Sequence, residues 1–206
     1  MNAHVPAGPG LPSRGPTGRD RRRMPHEQLG VHFELLRIHL QRRLFMLVSN
    51  QTRIRWLRGQ GMRIGEGCAI LTPYFSTEPY LIELGDHVAI SAGTEFITHD
   101  AVGWVFPDRT DLGLYGRIRV GSNTFIGLNA LILPNTTIGS NCVIGAGSVV
   151  RGNVADDSVV FGNPAEFVMK TSLMKQLILH SKGRLDTFGT TTKDRKEMLL
   201  RHFGLR

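Results

Sequence analysis

Every sixth residue from Val120 to Val150 is a branched aliphatic, in the series Val120, Ile126, Ile132, Ile138, Ile144 and Val150. Neither an α-helix, with about 3.6 residues per turn, nor a flat strand, with a period of two, demands an aliphatic at each sixth position. The residue after each is Gly121, Gly127, Leu133, Gly139, Gly145 or Arg151, mostly glycine, and the residue four after each is Thr124, Ala130, Thr136, Cys142, Ser148 or Val154, all small. The pattern predicts an all-β, triangular solenoid. Each hexad makes a short strand and a turn, three hexads make a coil, the aliphatic points into the prism, and the small residue sits where the chain bends. Counting back by six passes Leu114 and reaches Phe96, Ile90 and Leu84, whereas Ile64 and Ile70 run two residues out of phase. The 24 glycines and 10 prolines of the 206 residues exclude a helical bundle.

The register also exposes an insertion. Between Ile97 and Ile118 the hexad would put Asp108 in an inward slot that it cannot fill, so the chain leaves the coil as a loop, residues 100–117. Loops projected from a rigid prism are where chemistry is expected. The repeat ends at FGNPAEF, giving a β-helix domain over 61–165 and a tail over 166–206 with two short helical patterns, about 165–180 and 192–203.

Ahead of the coils, residues 1–23 are Pro, Gly and Arg and read as a disordered basic tail. Residues 24–60 read as an amphipathic helical segment, with Leu29, Phe33, Leu36, Leu40, Leu44 and Leu47 as one stripe flanked by arginines. The stripe fits a helix packed on the body, and, as the alternative, one lying on an anionic membrane. Up to Arg63 the chain has twelve arginines against Asp20, Glu27 and Glu34, a charge of +9, while the rest sums to −1. A basic arm on a neutral body suits any acidic surface, and no nucleic-acid-binding motif accompanies it, so nucleic acid is not expected as partner. The first apolar stretch is interrupted by Glu34, Arg37, Arg42 and Arg43, which forbids a membrane span, and no secretory signal is visible. Cys68 and Cys142 match no metal spacing and read as small buried thiols in a reducing cytoplasm.

The hexads, the His99-Asp100 pair at the mouth of the loop, the run FIGLNALILPNTTIGSNCVIGAGSVV and the closing GNPA together resemble the hexapeptide-repeat acyltransferases. The resemblance covers roughly residues 62–170 and is to the branch of maltose, galactoside, xenobiotic and surface-polysaccharide O-acetyltransferases. It implies a left-handed parallel β-helix, a homotrimer with active sites in the clefts between subunits, and acetyl-coenzyme A as donor with no metal. Within it His99 matches the catalytic histidine. Coenzyme contacts fall by resemblance on Leu128, on Ala146 one coil later, and on Arg151-Gly152, where the family usually has Thr-Lys. Glu166 stands where a basic residue is usual after GNPA, which leaves Lys170 as the phosphate partner of the tail. Glu78 resembles an acceptor-side acid by position. Thr72-Pro73-Tyr74 replaces an acceptor-binding asparagine, which argues against simple sugars as acceptors.

Acetyl transfer to a hydroxyl needs a base for the alcohol proton, donors for the oxyanion and a slot for a long thioester. His99 is the candidate base. Asp100 fits an orienter, a substrate contact or an ordinary turn former. Trp104 and Phe106 fit stacking on a sugar ring or packing of the loop. The expected function is O-acetylation of a carbohydrate, a cell-surface polysaccharide (capsule, O-antigen or exopolysaccharide) or its lipid-linked precursor. The alternatives are a small hydroxylated xenobiotic or antibiotic as acceptor, and a non-catalytic β-helix scaffold.

Overall fold

The computed structural model describes residues 36–37, 40–187 and 189–205. The basic tail 1–23 and the first part of the stripe, Leu29 and Phe33, lie outside the described residues. The chain divides into two units, Met1–Gln41 and Arg42–Arg206. In the first, the described residues are helical.

The second unit is a left-handed parallel β-helix with three faces. The first face stacks Arg63–Ile64, Ile82–Leu84, Ile118–Val120, Thr137–Ile138 and Asn153–Val154. The second stacks Ala69–Ile70, Ala89–Ile90, Phe125–Ile126, Val143–Ile144 and Ser158–Gly162. The third stacks Tyr74–Phe75, Glu95–Phe96, Leu131–Ile132 and Val149–Val150. Strands of two or three residues suffice because every coil passes its backbone hydrogen bonds to the next, as in Phe125 N–H to Cys142 O and Gly127 N–H to Ile144 O. All six aliphatics of the hexad series are buried, as are Leu84, Ile90 and Phe96.

The turns have a second requirement. Asn123, Asn129, Asn135 and Asn141 all have φ between 55° and 60°. Each stands one residue before the small corner residue, and asparagine tolerates the left-handed region better than other side chains. Gly127 answers to a different constraint: a Cβ there would lie 2.6 Å from the backbone nitrogen of Ala146, so the coils stack closely only if this residue has none.

Register slips occur where the coil length departs from three hexads. Ile64 pairs with Leu84, two residues beyond the repeat, which explains the phase offset of Ile64 and Ile70. Ile138 pairs with Val154, two residues short of it. Val154 is therefore a strand residue on the first face rather than the small corner residue that the hexad count made it. Leu114 likewise points outward, because His99–Asp100 and Leu114–Tyr115 form an antiparallel ribbon at the base of the extruded loop.

Both ends of the prism are covered. Helix Asn50–Gly59, capped by Ser49, lays Leu57 on the first coil. The Asn50 side chain donates to Cys68 O and accepts from Ile70 N–H, each at 2.8 Å, and so supplies the neighbour that a missing preceding coil would have been. Buried Arg53 donates to Phe45 O, Met46 O and Ile70 O. At the other end Ala165–Lys170 runs antiparallel to Ser158–Gly162. The helical pattern expected from about 165 thus begins only at Thr171, with helices over Thr171–Leu179 and Thr192–His202. Among the described residues no helix is long and apolar enough to cross a membrane.

Candidate active site

The edge between the third and first faces carries the site. In the first coil this edge is Ser76-Thr77-Glu78, and in the second it is Thr98-His99, where the chain turns out into the ribbon. Stacking the coils brings the two together: His99 Nδ1 lies 2.8 Å from Glu78 Oε2. The hydroxyl of Thr98 donates to the same oxygen at 2.7 Å and that of Thr77 to Oε1 at 2.7 Å. Ser76 Oγ donates to Glu78 Oε2 at 3.2 Å and lies 3.3 Å from His99 Nδ1. The Tyr115 ring lies beside the imidazole, 5.6 Å between centroids.

Burial alone would raise the Glu78 carboxyl, but the hydrogen bonds from Thr77, Thr98 and His99, with the charge of the imidazole, outweigh it and hold the group at about 2. An ionised carboxylate only accepts, so Nδ1 of His99 carries a proton and Nε2 is the basic nitrogen. That is the arrangement a general base needs: one ring nitrogen anchored, the other free to take a proton. The His99 side chain is 40% exposed and lines a cleft of about 280 Å³ with Arg42, Tyr74, Ser76, Thr77, Glu95 and Phe96.

Asp100, the carboxylate next to His99 in sequence, is exposed and paired in the ribbon with Leu114. The group on His99 is instead Glu78, expected as an acceptor-side acid. Sequence spacing missed this pair and its supports Ser76, Thr77, Thr98 and Tyr115. A run of Ser-Thr-Glu at a coil corner was the available signal. Trp104 is 80% exposed and Phe106 is exposed too, both on the loop.

The residues assigned to the coenzyme fall on different edges. Leu128 and Ala146 stack one coil apart on the edge between the second and third faces, where Gly147 N–H donates to Leu128 O. Arg151 and Gly152 lie two coils beyond His99 on the catalytic edge. Lys170 ends the antiparallel strand on the second face, its ammonium donating to Asp156 O at the third edge. One chain does not bring these five residues together. Cys68 and Cys142 are free and buried, their thiols raised by burial. Among the described residues no three His, Cys, Asp or Glu side chains are grouped as metal ligands.

The sequence profile of the bacterial transferase hexapeptide repeat (six repeats) matches residues 117–152. Protein CapG of Staphylococcus aureus is 40% identical over 129 residues, 61% of this chain and 75% of that one. The putative lipopolysaccharide biosynthesis O-acetyl transferase WbbJ of Escherichia coli (strain K12) is 41% identical over 51 residues, 25% of this chain and 26% of that one. In three dimensions the chain is similar to a galactoside acetyltransferase solved in complex with coenzyme A, with a TM-score of 0.53 at 18% identity over 76% of this chain and 90% of that one.

Proposed function

Because this chain belongs to the hexapeptide-repeat family of bacterial acetyltransferases, we propose that it moves the acetyl group of acetyl-coenzyme A to a hydroxyl of a surface carbohydrate or its precursor, with His99 as general base. The contact between His99 Nδ1 and Glu78 carries the reading. In it, Nε2 of His99 takes the hydroxyl proton as the acceptor oxygen attacks the thioester carbonyl. The new C–O bond forms a tetrahedral oxyanion, whose collapse breaks the C–S bond. The proton on Nε2 then goes to the departing thiolate, which restores the neutral ring. Glu78 holds the ring in the required tautomer and balances the positive charge that the ring carries between the two transfers.

The donor fits the edges in chemical type. Leu128 and Ala146 offer a stack of backbone groups with small side chains beside it, suited to the amides of a pantetheine arm. Arg151 offers a cation to its phosphates on the same edge as His99. These groups lie on two edges of the prism, which supports a homotrimer in which the cleft closes between copies. The carbohydrate acceptor rests on the lipopolysaccharide function in the name of WbbJ. Unbridged buried cysteines suit a reducing cytoplasm. Release of coenzyme A thiol from acetyl-coenzyme A on addition of a lipopolysaccharide-derived oligosaccharide tests the reading. Release by the wild type and not by His99→Ala is expected, and equal release by both would overturn it.

A further inference from the structure

One charged group on the wall of the His99 cleft takes no part in the transfer chemistry. Residues 42–47, which belong to the second unit, are helical. Phe45 fixes this helical turn to the prism: it is buried, its ring meets that of Trp56 edge-on at 5.6 Å between centroids, and its carbonyl accepts from Arg53. Leu44 and Leu47, from the stripe that suits packing on the body, are 51% and 81% exposed instead. Arg42 stands three residues before Phe45, on the same side of the helix, so the anchor carries it inward to the cleft. There it is partly buried, with its guanidinium 5.0 Å from the centroid of the Tyr74 ring. Among the described residues no carboxylate lies within ion-pair distance of it, and no oxygen accepts a hydrogen bond from it. Glu95, the other charge on this wall without an ion pair, lies one coil further along the third face, as the register partner of Tyr74.

Resting on the carbohydrate reading of this site, we infer that Arg42 selects acceptors that carry an oxyanion, a carboxylate or a phosphate, on or beside the sugar ring that is acetylated. A guanidinium presents five N–H donors in a rigid plane, and the Tyr74 ring holds the group without offering an oxygen to any of them. An oxyanion accepts two of these donors in parallel and neutralises the charge, whereas a sugar hydroxyl does neither. The rest of the wall sets the orientation. Glu95 repels an anion and accepts from hydroxyls, so the charged end of the acceptor belongs at the first coil, on Arg42, and its hydroxyl-bearing part at the second, beside Glu95 and His99. Filling the cleft also strips water from a cation that the chain itself does not pair, a cost that falls on a neutral saccharide and is offset by an anionic one.

The test uses the full chain and one lipopolysaccharide-derived oligosaccharide, bearing carboxylates and phosphates, in three forms: native, with its carboxyl groups reduced to alcohols, and with its phosphates removed. Thiol release from acetyl-coenzyme A gives kcat/KM for each form. In wild type one of the two treatments should lower kcat/KM by about tenfold or more, the range for losing charge-assisted hydrogen bonds, and which treatment does so tells a carboxylate from a phosphate. In Arg42→Gln the same treatment should change kcat/KM by less than about twofold, and in Arg42→Lys, which keeps the charge without the planar fork, by an intermediate factor. Each is a ratio between acceptors on one preparation, so a variant that folds incompletely still reports it. Wild type that acetylates all three forms equally well would overturn the inference and leave the carbohydrate reading standing, as would an Arg42→Gln ratio equal to that of wild type. Thiol release with none of the three forms would overturn the carbohydrate reading and this inference with it.

Discussion

His99 and Glu78, 21 residues apart and on successive coils, meet through an Nδ1 to Oε2 contact of 2.8 Å. The pair is held by the stack itself, since Thr98 and Thr77, which fix the carboxylate, are the immediate neighbours of its two members in sequence. Removing the His99 side chain should therefore change chemistry while the coils stay stacked. For His99→Ala the expected fall in kcat is about 10²–10⁴, the range for losing a general base, with the KM for acetyl-coenzyme A near that of wild type. Steady-state kinetics at saturating acceptor decides between this and a role in donor binding, for which KM would rise instead.

Glu78→Gln removes the charge and keeps the shape. It should lower kcat by about 10² or more, because the amide can present its N–H₂ to Nδ1 and favour the tautomer with the proton on Nε2, where it blocks base function. The effect is separable from misfolding by thermal unfolding: a single cooperative transition, at a midpoint below that of wild type, together with a depressed kcat is expected.

The same carboxylate gives a pH prediction whose sign follows from its lowered value. A group held at about 2 in the fold against 4.5 when free stabilises the native state above about pH 4.5, and that contribution is lost as pH falls through about 2. Wild type should thus be more stable than Glu78→Gln at neutral pH, with the gap closing between about pH 4.5 and 2. Urea midpoints at pH values on either side of this window measure it, and a gap independent of pH would show that the carboxylate charge contributes nothing.

Much of this fold is readable from residues 120–150, where aliphatic, glycine and small side chains recur without interruption. The dyad was not readable, for two physical reasons. His99 and Asp100 are neighbours on a strand and so project to opposite sides, which makes adjacency a poor guide to contact. Glu78 becomes a neighbour of His99 only because the first coil exceeds three hexads by three residues on the third face, where Phe75 pairs with Phe96, whereas the hexad count shows only the two-residue offset of Ile64 and Ile70. The asparagines before each corner were a further unused signal, since four of them at a six-residue spacing already specify a left-handed backbone turn.

Arg151 tests the donor side. As an exposed cation on the catalytic edge, it should contribute to coenzyme A binding through charge alone, so Arg151→Ala should raise the Kd by about tenfold at low salt and by little at high salt, where the Debye length is about 3 Å. Calorimetric titration of coenzyme A at both ionic strengths reads this directly. A loss that is the same at both would point to packing of the side chain rather than charge.

The cap of the prism is joined to its cleft through Arg53. Arg53 is buried, 8% exposed, and its guanidinium is spent on three carbonyls, those of Phe45, Met46 and Ile70. Two of these belong to the helix over residues 40–47 and one to the first coil, so a single planar fork ties the helix to the solenoid. Arg53→Lys keeps the charge but replaces a fork with a point donor, which cannot reach all three oxygens, and a carbonyl left without a donor in a buried place costs about 1–3 kcal/mol. The lower urea midpoint that this predicts should come with a kinetic sign. Arg42 reaches the wall of the His99 cleft from the same helix, so loosening the helix should raise the acceptor KM while the KM for acetyl-coenzyme A stays near wild type. A variant that is destabilised but retains the acceptor KM would mean that Arg42 does not contribute to the acceptor side of the cleft.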